Sequence, residues 1–143
     1  MTEPVFVDAN VLVYTRDAAD PAKQRRAGEW MSRLWNDRRG RVSVQVLDEF
    51  YVTVTRKLRP GLDRESARTF VRTLFAWDPV PMDTKLLDNA WTVEDRFSLS
   101  FWDALVVSAA QLAGCTTLLT EDLQDGQDLD GVRVVNPFRH DPG

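Results

Sequence analysis

Histidine and cysteine are nearly absent: the 143 residues hold one of each, His140 and Cys115. A lone cysteine cannot close an internal disulfide or build a cysteine-rich zinc site, which fits a reducing compartment and leaves Cys115 as an expected core residue. A lone imidazole among polar residues beside the C-terminus is poorly placed for a Ser-His-Asp triad, a paired-histidine ribonuclease mechanism or a histidine metal site. Long apolar runs are missing too. The most apolar stretch, around Ala104 to Ala110, falls far short of the roughly 20 residues that span a bilayer, and no basic segment followed by an apolar one opens the chain. A soluble, unexported, cytoplasmic protein without a membrane partner is expected. The length suits a single domain over residues 1–143 rather than two.

Charge is what remains. The net value is −4, but it is unevenly spread: residues 23–72 carry 13 Lys/Arg against 6 Asp/Glu, whereas residues 73–143 carry 4 against 12. Fifteen of the 18 basic residues are arginines, whose planar fork grips phosphate in two places, so Arg25, Arg33, Arg38, Arg39 and Arg41 are candidates for a nucleic-acid-facing rim. Solvated helix faces would look the same.

The pattern of elements alternates. Val5-Phe6-Val7 reads as a buried strand ending at Asp8, with Asn10 able to cap a short helix through Tyr14. Asp20-Pro21 starts a helix running toward Asn36, with Trp30 and Trp35 on its apolar stripe. Arg41-Val42 is a minimal strand. Ser43 caps a helix whose Leu47, Phe50, Tyr51, Val54 and Leu58 share a face until Pro60-Gly61 stops it. A helix from Asp63 to about Trp77, an edge strand at Pro79-Val80-Pro81 and a helix from Asp83 or Thr84 to about Arg96 follow. Ser100 caps the most apolar helix, Phe101 to Ala113, closed by Gly114. Thr116 to Thr120 reads as a buried strand, Asp125 to Gly131 as a polar loop, and Val132 to Val135 as the last strand. Strands alternating with helices predict an α/β sandwich with a central parallel sheet and right-handed crossovers. Such sheets place their sites beyond the carboxyl ends of the strands.

That rule selects the acids. Asp8 and Asp122 each follow a predicted strand, Glu49 lies two turns into the helix beginning near Ser43, and Asp103 sits in the first turn of the apolar helix. Each has a plainer reading. Asp8 serves equally well as a turn residue, Glu49 as a solvated helix residue beside its competitor Asp48, Asp103 as part of a Ser-x-x-Asp capping box, and Asp122 as one loop acid among Glu121, Asp125, Asp128 and Asp130. The joint pattern favours a site. Four carboxylates gathered together would disfavour their own ionisation, and a divalent ion such as Mg²⁺ or Mn²⁺ relieves that. Phosphodiester hydrolysis follows from such a centre without a histidine base.

Several segments, in this order and spacing, resemble the PIN-domain nucleases, in particular the VapC-type toxins of bacterial toxin-antitoxin pairs. They are Phe6-Val7-Asp8-Ala9-Asn10-Val11-Leu12-Val13-Tyr14, Ser43 to Phe50, Leu99-Ser100-Phe101-Trp102-Asp103-Ala104, Leu118 to Gln124, and Val135-Asn136-Pro137-Phe138. The resemblance implies a PIN-like α/β/α sandwich with strand order 3-2-1-4-5. It places Asp8, Glu49, Asp103 and Asp122 at the family's four metal-site acids, with Asn10 and Thr120 orienting ligands or the attacking water. It further implies Mg²⁺- or Mn²⁺-dependent endoribonuclease activity, an RNA substrate, a cognate antitoxin and a homodimer. For Asn10 and Thr120 the plainer readings are a helix cap and a strand-end hydroxyl.

Other classes fit less well. A signalling receiver domain wants paired acids after the first strand and a lysine after a late one, but Asn136-Pro137 follows the last strand here. A haloacid-dehalogenase-like phosphatase wants Asp-x-Asp, and Asp8-Ala9-Asn10 lacks the second acid. A catalytically silent PIN-like module that binds RNA or a partner is the remaining alternative.

Overall fold

The computed structural model describes residues 3–143. Apolar residues without alternation, buried on both faces, form β1 (Val5–Val7). Its neighbours are the short β2 (Gly40–Arg41) on one side and β3 (Thr117–Leu119) on the other, both parallel to it. Beyond β3 lies β5 (Val132–Val135), again parallel, and then β4 (Asp128–Leu129), antiparallel at the edge, giving the order β2-β1-β3-β5-β4.

The expected parallel order is present with two corrections. The strand expected at Pro79 to Pro81 shrinks to one parallel bridge, Ser43 with Val80. The flanking prolines lack the amide donors that would extend the ladder, so Val80 alone bonds, to Val42 and Val44. Counted as a strand, it stands outside β2 and completes the sequence 3-2-1-4-5. The polar loop expected at 125–131 instead contains β4. It turns into β5 through Asp130-Gly131, both at positive φ (55° and 93°), the backbone that a two-residue hairpin turn demands.

The helices are α1 (Ala9–Tyr14), α2 (Pro21–Asn36), α3 (Val44–Val52), α4 (Arg64–Thr73), α5 (Thr84–Phe97) and α6 (Phe101–Leu112). Side-chain caps start most of them where the sequence places them: Asp20, Ser43, Asp63, Asp83 and Ser100 each accept from the amide three residues on. The cap of α1 differs. Asp8, not Asn10, holds that position, accepting from the Ala9 amide at 2.7 Å. Two expected helices also end early. Beyond Val52, α3 widens into a π-helical turn, Thr53–Lys57, and beyond Thr73, α4 tightens into a 3₁₀ turn, Leu74–Trp77.

α6 is the most buried helix, with every residue from Ala104 to Ala110 in the core, and it packs along α5. Phe6, Leu12, Phe50, Leu118 and Leu119 are fully enclosed between the layers, and Cys115 is buried as expected. Truncating an enclosed phenylalanine such as Phe6 or Phe50 to alanine would cost about 3–5 kcal/mol. Gly40 is fixed by a neighbour, because the Trp77 indole occupies the space a β-carbon would need. Among the described residues no helix is long and apolar enough to cross a membrane.

Candidate functional site

The carboxyl ends of β1 and β3 lie side by side, since Val7 is in register with Leu119. Asp8 and Thr120 therefore emerge together, and the Asp8 amide bonds the Leu119 carbonyl. Asp8 is 6% exposed and Thr120 is fully buried. The Thr120 hydroxyl donates to Asp8 Oδ2 at 2.9 Å and accepts from the Asp122 amide at 3.1 Å. Asn10 Nδ2 faces three oxygens at once: Thr120 Oγ1 at 3.0 Å, Asp122 Oδ2 at 3.1 Å and Asp8 Oδ2 at 3.3 Å. Its Oδ1 accepts from the Glu121 amide. One amide thus ties the loop after β1 to the loop after β3, so Asn10 links the two acids rather than capping a helix.

Glu49 and Asp122 line a cleft of about 330 Å³ together with Asn10, Tyr14, Asp17 and Glu121. Gln45, one turn earlier on α3 and 6% exposed, donates to Glu49 Oε1 at 3.0 Å. Asp103 stands in the first turn of α6, its amide bonded by Ser100, and its charge acts on Asp122. Among the six expected site residues, Asp8, Asn10, Thr120 and Asp122 form one hydrogen-bonded cluster. Glu49 borders it across the cleft, and Asp103 reaches it through charge alone.

The electrostatics of this corner are unusual. Burial pushes the Asp8 carboxyl up to about 7; the hydrogen bonds from Thr120 and Ala9 oppose this, and the charges of Asp122 and Glu49 add to it. Asp122 is also raised, by burial first and by Asp103 and Glu121 next, against the pull of Asn10. The lysine bonded at this corner is already engaged. Lys23 bonds Glu121 at 2.8 Å, and its ammonium lies over the Tyr14 and Phe138 rings at 4.8 and 5.0 Å. It is held protonated above the ordinary lysine range by Glu121.

Sequence reasoning missed Gln45, Glu121, Tyr14 and Lys23. Helical spacing from Glu49 back to Gln45, and from Tyr14 back to Asn10, could have found two of them. The Lys23–Glu121 pair joins residues 98 positions apart and leaves no local trace.

Among the described residues no three Asp, Glu, His or Cys side chains stand close enough to hold an ion by themselves. Mg²⁺ keeps several waters and takes one or two carboxylates together with substrate phosphates, so such an ion does not require a closed cage. A buried acid with no cation partner among the described residues and a second raised acid bonded to the same amide match that requirement. The residues fit a largely hydrated divalent ion.

Size alone would have pointed elsewhere. A larger hollow, about 820 Å³, runs between α2 and α4, lined by Met31, Trp35, Leu62, Phe70 and Leu74 among others. Trp35 is 42% exposed there and leans on Trp77, ring centres 6.0 Å apart. Trp30 points away, and its indole donates to the carbonyls of Pro137 and His140.

The PIN domain family profile matches residues 5–125. Three solved structures share the arrangement. A toxin-antitoxin complex from Klebsiella pneumoniae superposes with a TM-score of 0.64 at 16% identity, over 93% of this chain and 97% of that one. VapC20 of Mycobacterium tuberculosis, a sarcin-ricin loop cleaving toxin, gives 0.59 at 24% identity, over 80% and 86%. DNA-bound VapBC from Salmonella typhimurium gives 0.63 at 15%, over 92% and 96%. At these identities the likeness speaks for the fold. No curated protein sequence matches the chain.

Proposed function

The chain belongs to the PIN domain family, and from that premise we propose that it is a metal-dependent endoribonuclease, the toxin of a toxin-antitoxin pair. PIN domains are generally nucleases. The observation that carries the reading is the buried Asp8 carboxyl, raised to about 7 with no cation beside it among the described residues and joined through Asn10 to Asp122, whose carboxyl is also raised. A structural acid would be paired; this one is left for a ligand.

Asp8, Glu49, Asp103 and Asp122, some of them through the ion's own waters, would hold Mg²⁺ or Mn²⁺, which when bound polarises a phosphate and lowers the pKa of a water. The rest falls to the chain itself. Ala9 and Thr120 grip the two oxygens of Asp8 so that its carboxylate cannot turn. Asn10 keeps Asp122 beside Asp8, and Gln45 steadies Glu49. Lys23 occupies Glu121 and so keeps a fifth acid out of the set. Metal binding should favour ionised Asp8, lowering its proton affinity as the site fills.

The antitoxin would take the apolar hollow between α2 and α4, where Trp35 is exposed. A homodimer would cover Trp91 and Trp102, 49% and 63% exposed on α5 and α6. The deciding experiment is incubation of total cellular RNA with Mg²⁺ or Mn²⁺, followed by end mapping. Discrete new ends that vanish with chelator support the enzyme, and intact RNA bound without turnover supports the silent module instead.

A further inference from the structure

Resting on the ribonuclease reading, we propose that Lys57, at the end of the π-helical turn, forms a phosphate-binding subsite that seats the RNA strand alongside the acidic cleft. A second hollow of about 450 Å³ is lined by Asp48, Glu49, Val52, Thr53 and Lys57. It shares Glu49 and Thr53 with the acidic cleft, so the two hollows adjoin along α3 and the turn that follows it. A phosphodiester strand lying along these hollows meets the carboxylates of Asp17, Asp48, Glu49, Glu121 and Asp122, and each repels it. Among all the residues lining both hollows, Lys57 alone is basic.

The backbone explains why Lys57 faces this hollow. Glu49, Thr53 and Lys57 follow at four-residue steps. In an α-helix each such step overshoots a full turn by about 40°, so Lys57 would stand about 80° round from Glu49. The wider Thr53–Lys57 turn takes up part of that rotation, and Lys57 lines the same hollow as Glu49. The Leu58 amide closes the turn on Thr53 at 2.9 Å, and the Leu62 amide bonds Val54. Gly61 presses against the Val54 and Leu58 carbonyls where no β-carbon would fit. The turn is thus braced from behind. Lys57 itself is exposed and has no ion pair or hydrogen bond among the described residues, so its ammonium is available to a ligand.

The test measures binding of a fluorescein-labelled oligouridylate in EDTA across a series of salt concentrations, beside metal-dependent cleavage of cellular RNA by the same preparations. Lys57→Met should bind roughly threefold to tenfold more weakly, with a salt slope smaller by about 0.7, the contribution of one phosphate contact on a single strand. Lys57→Arg should keep the slope. Lys85→Met, on a different hollow, should match the wild type, and all three should melt as the wild type does. A Lys57→Met slope equal to the wild type, in a protein that binds and cleaves RNA, overturns the subsite and leaves the ribonuclease reading standing. A reduced slope in a protein that never cleaves supports the subsite and counts against the enzyme. A wild type that neither binds nor cleaves RNA sinks both.

Discussion

Asp8 and Asp125 both sit in loops beside the carboxyl ends of the sheet, yet their surroundings drive them in opposite directions. Asp125 accepts the Asn136 amide at 2.8 Å and faces His140 Nε2 at 2.9 Å, and these partners hold its carboxyl below the usual range. Asp8 is more deeply enclosed and receives only neutral donors, so burial wins and its carboxyl rises to about 7. At Asp8 the hydrogen bonds from Thr120 and Ala9 do not offset the burial of the anion. The difference separates an acid that fastens the chain to itself from one left open to a ligand. His140, unpromising as a catalyst from its position in the sequence, belongs to the first kind: it ties the C-terminal segment to the loop after β3.

The largest expected effect tests that separation directly. Asp8→Asn should cut metal-dependent cleavage by orders of magnitude, and Glu49→Gln and Asp103→Asn should do likewise, in end-mapped RNA assays. Mg²⁺ should raise the melting temperature of the wild type by mass action, and Asp8→Asn should shrink that shift. An Asp8→Asn protein with wild-type turnover would remove Asp8 from the site and erase the contrast with Asp125.

A second prediction concerns pH in chelator. Between the ordinary carboxylate range and about 7 the folded state keeps a proton on Asp8 that the unfolded chain releases. Its contribution to stability is therefore fully present in acid and is lost as pH rises toward 7, by up to about 4 kcal/mol from roughly three units of displacement. The wild-type stability minus that of Asp8→Asn, from urea unfolding between pH 4.5 and 8, should fall along that course. The asparagine variant should be the more stable protein at pH 8. A difference independent of pH would mean that Asp8 is paired in solution.

Much of this corner was legible in the sequence, and the reasons are local. A strand of three apolar residues ending in Asp8, and a Ser-x-x-Asp start for α6, carry their meaning within a few positions. The α/β alternation likewise gave the layers and the sheet. What escaped depends on distance or on backbone detail. Asn10 reads as a cap from its neighbours, and only the approach of Thr120 and Asp122 from 110 and 112 positions away turns it into a bridge. The π turn replaces helix where the apolar stripe continues unbroken to Leu58: the Val54 carbonyl takes the distant Leu62 amide, and the Leu58 amide bonds Thr53 instead. β4 was hidden in a run of acids, although its Asp130-Gly131 turn was a readable hairpin marker.

Asn10 offers the next test, of intermediate size. Asn10→Ala frees Asp122 from Asp8 without removing an acid, and losses of about 10–100-fold in activity are typical when such orienting partners go. Asn10 lowers the proton affinity of Asp122, so its removal should move the acidic limb of the pH-rate profile to higher pH. A drop in rate with an unmoved profile would reduce Asn10 to a scaffold residue.

Asp125→Asn should give the smallest effect, and its smallness is the point. The asparagine oxygen can still accept the Asn136 amide, so the loop keeps its shape, while the attraction to His140 and Arg139 is lost. Because the folded state lowers the proton affinity of Asp125, its stabilising contribution is present at neutral pH and fades as pH falls through and below the ordinary carboxylate range, opposite in sign to Asp8. Cleavage should remain at the wild-type rate, with somewhat faster proteolysis of the C-terminal segment at pH 7 and no difference from wild type in strong acid. If Asp125→Asn instead abolished cleavage as Asp8→Asn does, then a carboxylate already satisfied by a backbone amide and an imidazole would be serving the reaction. The partnering of an acid would then no longer distinguish structural from functional carboxylates in this molecule.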